Sequence, residues 1–319
     1  MSLWKLRLSM AGTIAVIIAV STLGFTLILS LFGGFNLLSL VLIVAAFNIA
    51  QWLFAPYLVN LLYKARPLKE DERPELHRMV DDLSRRSGIK TPALMLSNIP
   101  IPNAFAYGSP LTGSRVAVTE GLLGALEMEE VEAVIGHELG HLRHRDVQIM
   151  MFVSFLPSIF YMLARSMLFS GLYYRRDRRD TGGTAIIGGV SMLVYFFLLL
   201  FTLGLSRLRE FYADQHSASV VDDGSRKLSE ALAKISTSTW RMQRTSNQRM
   251  SLSSFKTLFI ADPDRAGQDS ADLYSARHGG PDEELVGSIL GRRISRFDRF
   301  AELFSTHPNI VKRLRALKA

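Results

Sequence analysis

The sequence predicts an α+β, mainly α-helical fold in which a polar domain is combined with transmembrane helices. Three observations carry this reading. The 56 residues from Leu8 to Tyr63 contain no Asp, Glu, Lys or Arg. Two further charge-free stretches, Val147–Ala164 and Thr181–Ser206, come later in the chain. The segments between and after them are polar, with short apolar periodicities of both the helical and the strand kind. A bilayer span needs about 20 mainly apolar residues, and a soluble core does not need a run as long as the first.

Gly33 and Gly34 divide that first run into a hairpin, with spans predicted over Met10–Leu31 and Phe35–Tyr63. A cleaved signal peptide is disfavoured, because the run is too long and no small-residue cleavage site precedes polar sequence. Thr181–Ser206, with 26 residues, is long enough to cross. Val147–Ala164 has 18 residues and contains Pro157, so a span and a helix packed at the interface both stay open. Lys5 and Arg7, and then Lys64, Arg66, Lys69 and Arg73, put the N-terminus and the region after Tyr63 on the cytosolic side of a multi-pass cell-membrane protein. The segment Tyr174–Asp180, with four arginines against two aspartates, opposes that orientation.

The polar parts read as follows. Leu76, Met79, Val80 and Leu83 mark an amphipathic helix over Pro74–Ser87. Thr91–Ser97 is a short strand, and Asn103–Tyr107 and Ser114–Thr119 are paired strands across a Gly108-Ser109-Pro110 turn. Thr119 caps a short helix to Leu126, and a longer helix begins near Met128, acidic at its start and basic at Arg143–Arg145. Arg207–Val221 continues the last apolar segment as a helix, and Ser225–Thr237 is a further amphipathic one. Asp262–Asp282 has the composition of a mobile loop, and Pro308–Leu317 that of a basic helix. Without cysteine, disulfides and thiolate metal sites are excluded. The net charge of +8 does not mark a nucleic-acid binder, since the basic residues are scattered without interleaved aromatics. Anionic lipid headgroups are the better match.

The chemistry lies in His137-Glu138-Leu139-Gly140-His141. Residues four apart on a helix stand about 40° apart, so both imidazoles can address one zinc ion. Glu138, turned about 100° from His137, reaches a water on the metal rather than the metal itself. Zinc brings that water's pKa to about 7, and the carboxylate takes its proton as general base and later protonates the leaving amine. Gly136 and Gly140 weaken a helix that needs only stability, and suit a close approach by a strand or a metal. A catalytic zinc needs a third protein ligand. His144 follows His141 by three residues and points away. Glu210 is the better candidate, with Asp214 one turn on to accept the N–H of a ligand histidine. A plain surface helix with an Arg207–Glu210 ion pair is the bland alternative. Ligands on either side of a hydrophobic pair meet only if the chain crosses the membrane zero or two times between them. The catalytic helix is then expected to run on into the third apolar segment.

The runs Asn103-Ala104-Phe105-Ala106, Val118-Thr119-Glu120-Gly121-Leu122-Leu123, His137–His141 with Asp146, Arg207–Asp214 and Ser305-Thr306-His307-Pro308 resemble, in order and spacing, the HtpX-like membrane zinc metalloproteases, relatives of the CaaX prenyl proteases. Asn309 stands where a second proline is common in that family. The resemblance implies a gluzincin-like catalytic domain, one zinc ion per subunit, and degradation of damaged or misfolded membrane proteins. It places Asn103, Ala104, Phe105 and Ala106 on a cleft strand able to hold extended substrate through its backbone. It also places His307 near the cleft, where a role in stabilising the oxyanion competes with a structural one. The organisation expected is a hairpin at 1–63, catalytic parts at 64–146 and 207–319, and a second hydrophobic pair at 147–206. Expected partners are membrane-protein substrates and the lipid bilayer. A CaaX-type prenyl-protein peptidase and a non-catalytic membrane scaffold with a vestigial metal site are the alternatives. Intact Glu138 argues against the second, because a non-catalytic site needs no base.

Overall fold

The computed structural model describes residues 37–173, 181–245 and 282–319. The expected first span Met10–Leu31, the arginine-rich segment 174–180 and residues 262–281 of the expected loop lie outside them. The described chain divides into two compact units. One comprises 54–147 and 207–319, and the other 37–53 and 148–206.

The first unit contains the end of α1 (Leu37–Leu62), then β1 (Ala65–Pro67), α2 (Pro74–Ser87), β2 (Ala93–Ser97), β3 (Ala104–Ser109), β4 (Gly113–Thr119), α3 (Glu120–Ala125) and α4 (Met128–Arg143). Its later part holds the end of α6 (Thr181–Val220), α7 (Gly224–Thr245), α8 (Asp282–Leu290), α9 (Arg296–Glu302) and α10 (Ile310–Lys318). The sheet has the order β1-β2-β4-β3. β2 and β4 run parallel, while β1–β2 and β3–β4 are antiparallel. Alternation sorts its residues between two faces. Leu94, Leu96, Ala104, Val116 and Val118 join the main core with α2, α4, α7 and α10. Met95, Phe105, Tyr107 and Ala117 pack with Tyr63 in a smaller cluster on the other face. Burial of residues such as Ile135 and Leu139 on α4, both fully buried, contributes about 1.5–3 kcal/mol each.

Among the described residues β3 is an edge strand, and its polarity is readable from its bonds. Asn103 N–H and C=O both meet Thr119, at 2.9 and 3.0 Å, so the backbone groups of Ala104 and Ala106 face the open side. Thr119 Oγ1 also accepts Leu122 N–H at 3.0 Å as the cap of α3, tying the start of β3 to that helix. The α4 N-terminus is secured by Glu130, whose carboxylate accepts Glu127 N–H at 2.8 Å. α4 does not run on into the third apolar segment, contrary to expectation. It ends at Arg143, and Arg145, in the left-handed conformation at φ 55°, separates it from α5 (Asp146–Tyr173).

In the second unit Val153, Phe160, Leu163 and Met167 of α5 pack with Ile187, Leu198 and Leu205 of α6. Among the described residues three helices are long and apolar enough to cross a membrane, Val44–Leu62, Asp146–Leu168 and Gly183–Val220.

Candidate metal and active site

The close approach that Gly136 and Gly140 permit is to a helix, not to a strand or a metal as the sequence suggested. A Cβ on Gly136 would lie 2.9 Å from Val221 Cγ2, and one on Gly140 3.1 Å from Ala213 Cα. Ser217 Oγ then donates to Ala133 C=O at 2.6 Å. This tight α4–α6 seam brings Glu210 and Asp214, one turn apart on α6, against the two motif histidines.

His137 Nε2 and His141 Nε2 are 3.2 Å apart. Glu210 approaches both, Oε2 lying 3.7 Å from His137 Nε2 and Oε1 3.6 Å from His141 Nε2. Each histidine has its other nitrogen on a carboxylate. Asp214 Oδ1 is 2.9 Å from His137 Nδ1, and Asp146 Oδ2 is 2.6 Å from His141 Nδ1. A proton on each Nδ1 suits the carboxylate beside it, and in that tautomer both Nε2 atoms are acceptors. Two acceptors 3.2 Å apart beside a carboxylate repel one another, and a cation between them removes the repulsion. Donors about 2.0–2.2 Å from a tetrahedral zinc stand roughly 3.3–3.6 Å from each other, close to the separations found here. The residues present therefore fit a metal ion.

Behind this set stand two arginines. Arg313 of α10 grips Asp214 with two bonds, Nε to Oδ2 at 2.9 Å and Nη2 to Oδ1 at 2.6 Å, and reaches Glu210 Oε2 through Nη1 at 3.2 Å. Arg209 of α6 pairs with Asp146 through Nη2. His307, in the turn before α10, puts Nδ1 3.2 Å from Glu210 Oε2. Burial disfavours charge on Arg313, but Asp214 and Glu210 more than offset it and hold the guanidinium above its ordinary pKa. Burial likewise lowers the His137 pKa, and Asp214 opposes the shift.

Glu138 faces the other way. Its Oε2 accepts Ala106 N–H at 2.7 Å, so the carboxylate lies between the histidines and the open edge of β3. Burial pushes its pKa up to about 7, with His141 working against the shift. The small side chains of Ala104 and Ala106 let α4 come this close, while Phe105 is anchored on the far face by Tyr63 and Tyr107, with ring centroids 4.6 and 5.4 Å away. Asn103 is buried at the head of the strand.

The structure thus brings together His137, Glu138, His141, Glu210, Asp214 and His307 beside Ala104–Ala106. His144 stands apart, packed edge-on against Tyr212 at 4.0 Å, its pKa lowered by burial to about 4. Sequence reasoning gave no role to Arg209 or Arg313. Arg313 did carry a signal, since it falls inside the apolar stripe Ile310, Leu314 and Leu317 of its helix, where a charge implies a buried partner. A second acidic group, Glu130, Glu230 and Asp282, is compensated by Lys234, whose Nζ lies 2.8 Å from Glu130 and 3.0 Å from Asp282.

Residues 70–319, which contain every side chain of this constellation, match the model of Peptidase family M48. The chain belongs to that family. It is a metallopeptidase of the HtpX-like membrane branch. The Protease HtpX homolog of Thermoplasma acidophilum is 35% identical over 332 residues, covering 100% of this chain and 98% of the relative. That of Aeropyrum pernix is 34% identical, covering 97% and 94% respectively. Among solved structures, S. mikatae Ste24p shares the fold with a TM-score of 0.57 at 16% identity, over 99% of this chain and 66% of that one.

Proposed function

We propose that the protein is a zinc-dependent endopeptidase that cleaves damaged or misfolded membrane proteins, with Glu138 as general base. The observation that carries this reading is the convergence of His137 Nε2, His141 Nε2 and the Glu210 carboxylate, with Glu138 on the same helix turned to the outer edge of β3. His137, His141 and Glu210 would hold one zinc ion. When bound, zinc supplies a Lewis acid that polarises a peptide carbonyl and acidifies water at its open position.

The chain's own residues do the rest. The outward backbone groups of Ala104 and the Ala106 C=O pair with an extended substrate segment as an added strand, while the Ala106 N–H stays on Glu138. Such pairing reads backbone rather than side chains, which suits unfolded or misassembled membrane proteins of varied sequence. Glu138, poised by burial near neutrality, takes a proton from water and delivers it to the leaving amine. Asp214 and Asp146 hold the ligand histidines in the required tautomer. His307 orients Glu210 and stands where it can meet the developing oxyanion. The basic residues that follow α1 support a cytosolic active site in the cell membrane.

The test is Glu138→Gln in proteoliposomes with an unfolded membrane protein as substrate. Cleavage should fall about 10²–10⁴-fold while zinc content stays at the parent's level. Cleavage at the parent's rate would remove Glu138 from the mechanism. Glu210→Ala should strip the zinc, and full retention would remove it from the ligand set.

A further inference from the structure

A second aromatic cluster of the first unit lies on α9 and the turn after it. Phe297, Phe300 and Phe304 are spaced by three and four residues along α9 and its following turn. They are 64%, 60% and 49% exposed, and Leu303 beside them 44%. Phe300 and Phe304 stack edge-on at 5.5 Å, so the rings form one face. Contiguous exposed aromatics in a folded domain mark a surface that meets something apolar. Arg293, Arg296 and Arg299 are exposed around it, and the nearby acids are engaged. Asp298 caps α9 by accepting Ser295 N–H at 2.8 Å, and buried Glu302 accepts Asn309 N–H at 3.1 Å.

One further contact gives the face its place. Arg207 is the first residue after the charge-free stretch Thr181–Ser206 on α6. Its Nη1 donates to the C=O groups of Glu302 and Ser305, both at 2.7 Å. The turn that carries Phe304 is therefore clamped to the point where the apolar part of α6 ends.

We propose that this face is a lipid-docking foot. Phe297, Phe300 and Phe304 lie in the headgroup–acyl boundary of the bilayer, and Arg293, Arg296 and Arg299 contact anionic headgroups. A second copy of the chain is a poorer occupant, since two such faces would oppose like-charged arginines. The inference rests on the chain being a membrane protein and not on the proposed reaction.

Because the chain has no cysteine, a single spin label can be placed by Phe300→Cys or Phe297→Cys, with Arg85→Cys as an aqueous control. The side chain of Arg85 is 78% exposed. The labelled full-length chains are reconstituted in nanodiscs of phosphatidylcholine with and without phosphatidylglycerol. Their collision rates are read with oxygen and with a neutral nickel chelate. The expected result is an oxygen-to-nickel ratio several-fold above the control at both positions, larger with phosphatidylglycerol. Reversing the three arginines to Glu should abolish that increment. Nickel accessibility equal to the control would overturn the proposal, as would spin–spin broadening between copies, which would identify a protein partner.

Discussion

The two motif histidines are built alike and supported differently. His137 rests on Asp214, which is gripped by Arg313, and His141 rests on Asp146, which is paired with Arg209. The inner relay is sealed, with side-chain exposures of 1%, 2% and 3% for His137, Asp214 and Arg313. In the outer relay His141 and Asp146 keep 17% and 11%, while Arg209 at 3% is as buried as Arg313. Arg313 holds Asp214 by paired bonds and reaches Glu210 as well, whereas Arg209 holds one carboxylate by a single nitrogen. Desolvation makes the inner relay strong while intact and costly when broken. The same chemistry nearer to solvent is more forgiving.

The largest effect should come from removing the inner cation. Arg313→Met leaves Asp214 and Glu210 buried without their partner, and should cost about 3–5 kcal/mol in thermal unfolding. Arg209→Met should cost clearly less. Equal losses would break the comparison. Next, Asp214→Asn should lower zinc affinity by about 100-fold and Asp146→Asn by about 10-fold, measured by competition with a chelating dye. The reverse order would make His141 the better-held ligand. Gly140→Ala pushes against backbone at Ala213 Cα, 3.1 Å away, and should cost about 1–3 kcal/mol while weakening zinc binding, because it shifts the helix that carries Glu210.

Glu138 sharpens the contrast, since it is buried with Ala106 N–H rather than an arginine as its hydrogen-bond partner. Its folded pKa of about 7 lies above the ordinary 4.5, so the folded state holds the proton more tightly between those values. Its contribution to stability is complete below about pH 4.5 and is lost as pH rises through 7. In metal-free protein Glu138→Gln should therefore be more stable than the parent at pH 8, by about 3 kcal/mol, and equal to it at pH 4. A difference that does not change with pH would show that the carboxylate is not desolvated as described.

What was legible in the sequence was whatever a local pattern carries. The α2, β2 and β4 segments, the Thr119 cap and the α4 start follow from periodicity and capping. Glu210 and Asp214 showed themselves as carboxylates on one helical face. β1 was missed because three residues carry no period, and it forms only by pairing with β2 after the left-handed Lys64. Arg313 was missed among Lys312, Arg315 and Lys318, since its difference from them is burial, a property of the assembled fold. The glycines of α4 signal a close approach in the sequence, but only the fold shows that their neighbour is α6.

The inner relay also sets a clock. A ribosome adding about 5–20 residues per second needs roughly 10 to 30 seconds to go from His141 to Arg313. During that interval the histidines and Glu138 exist, but the carboxylates of α6 arrive late and their arginine last. On the proposed ligand set, the nascent chain therefore lacks Glu210 until α6 has emerged, and Asp214 and Glu210 lack their cation until α10 follows.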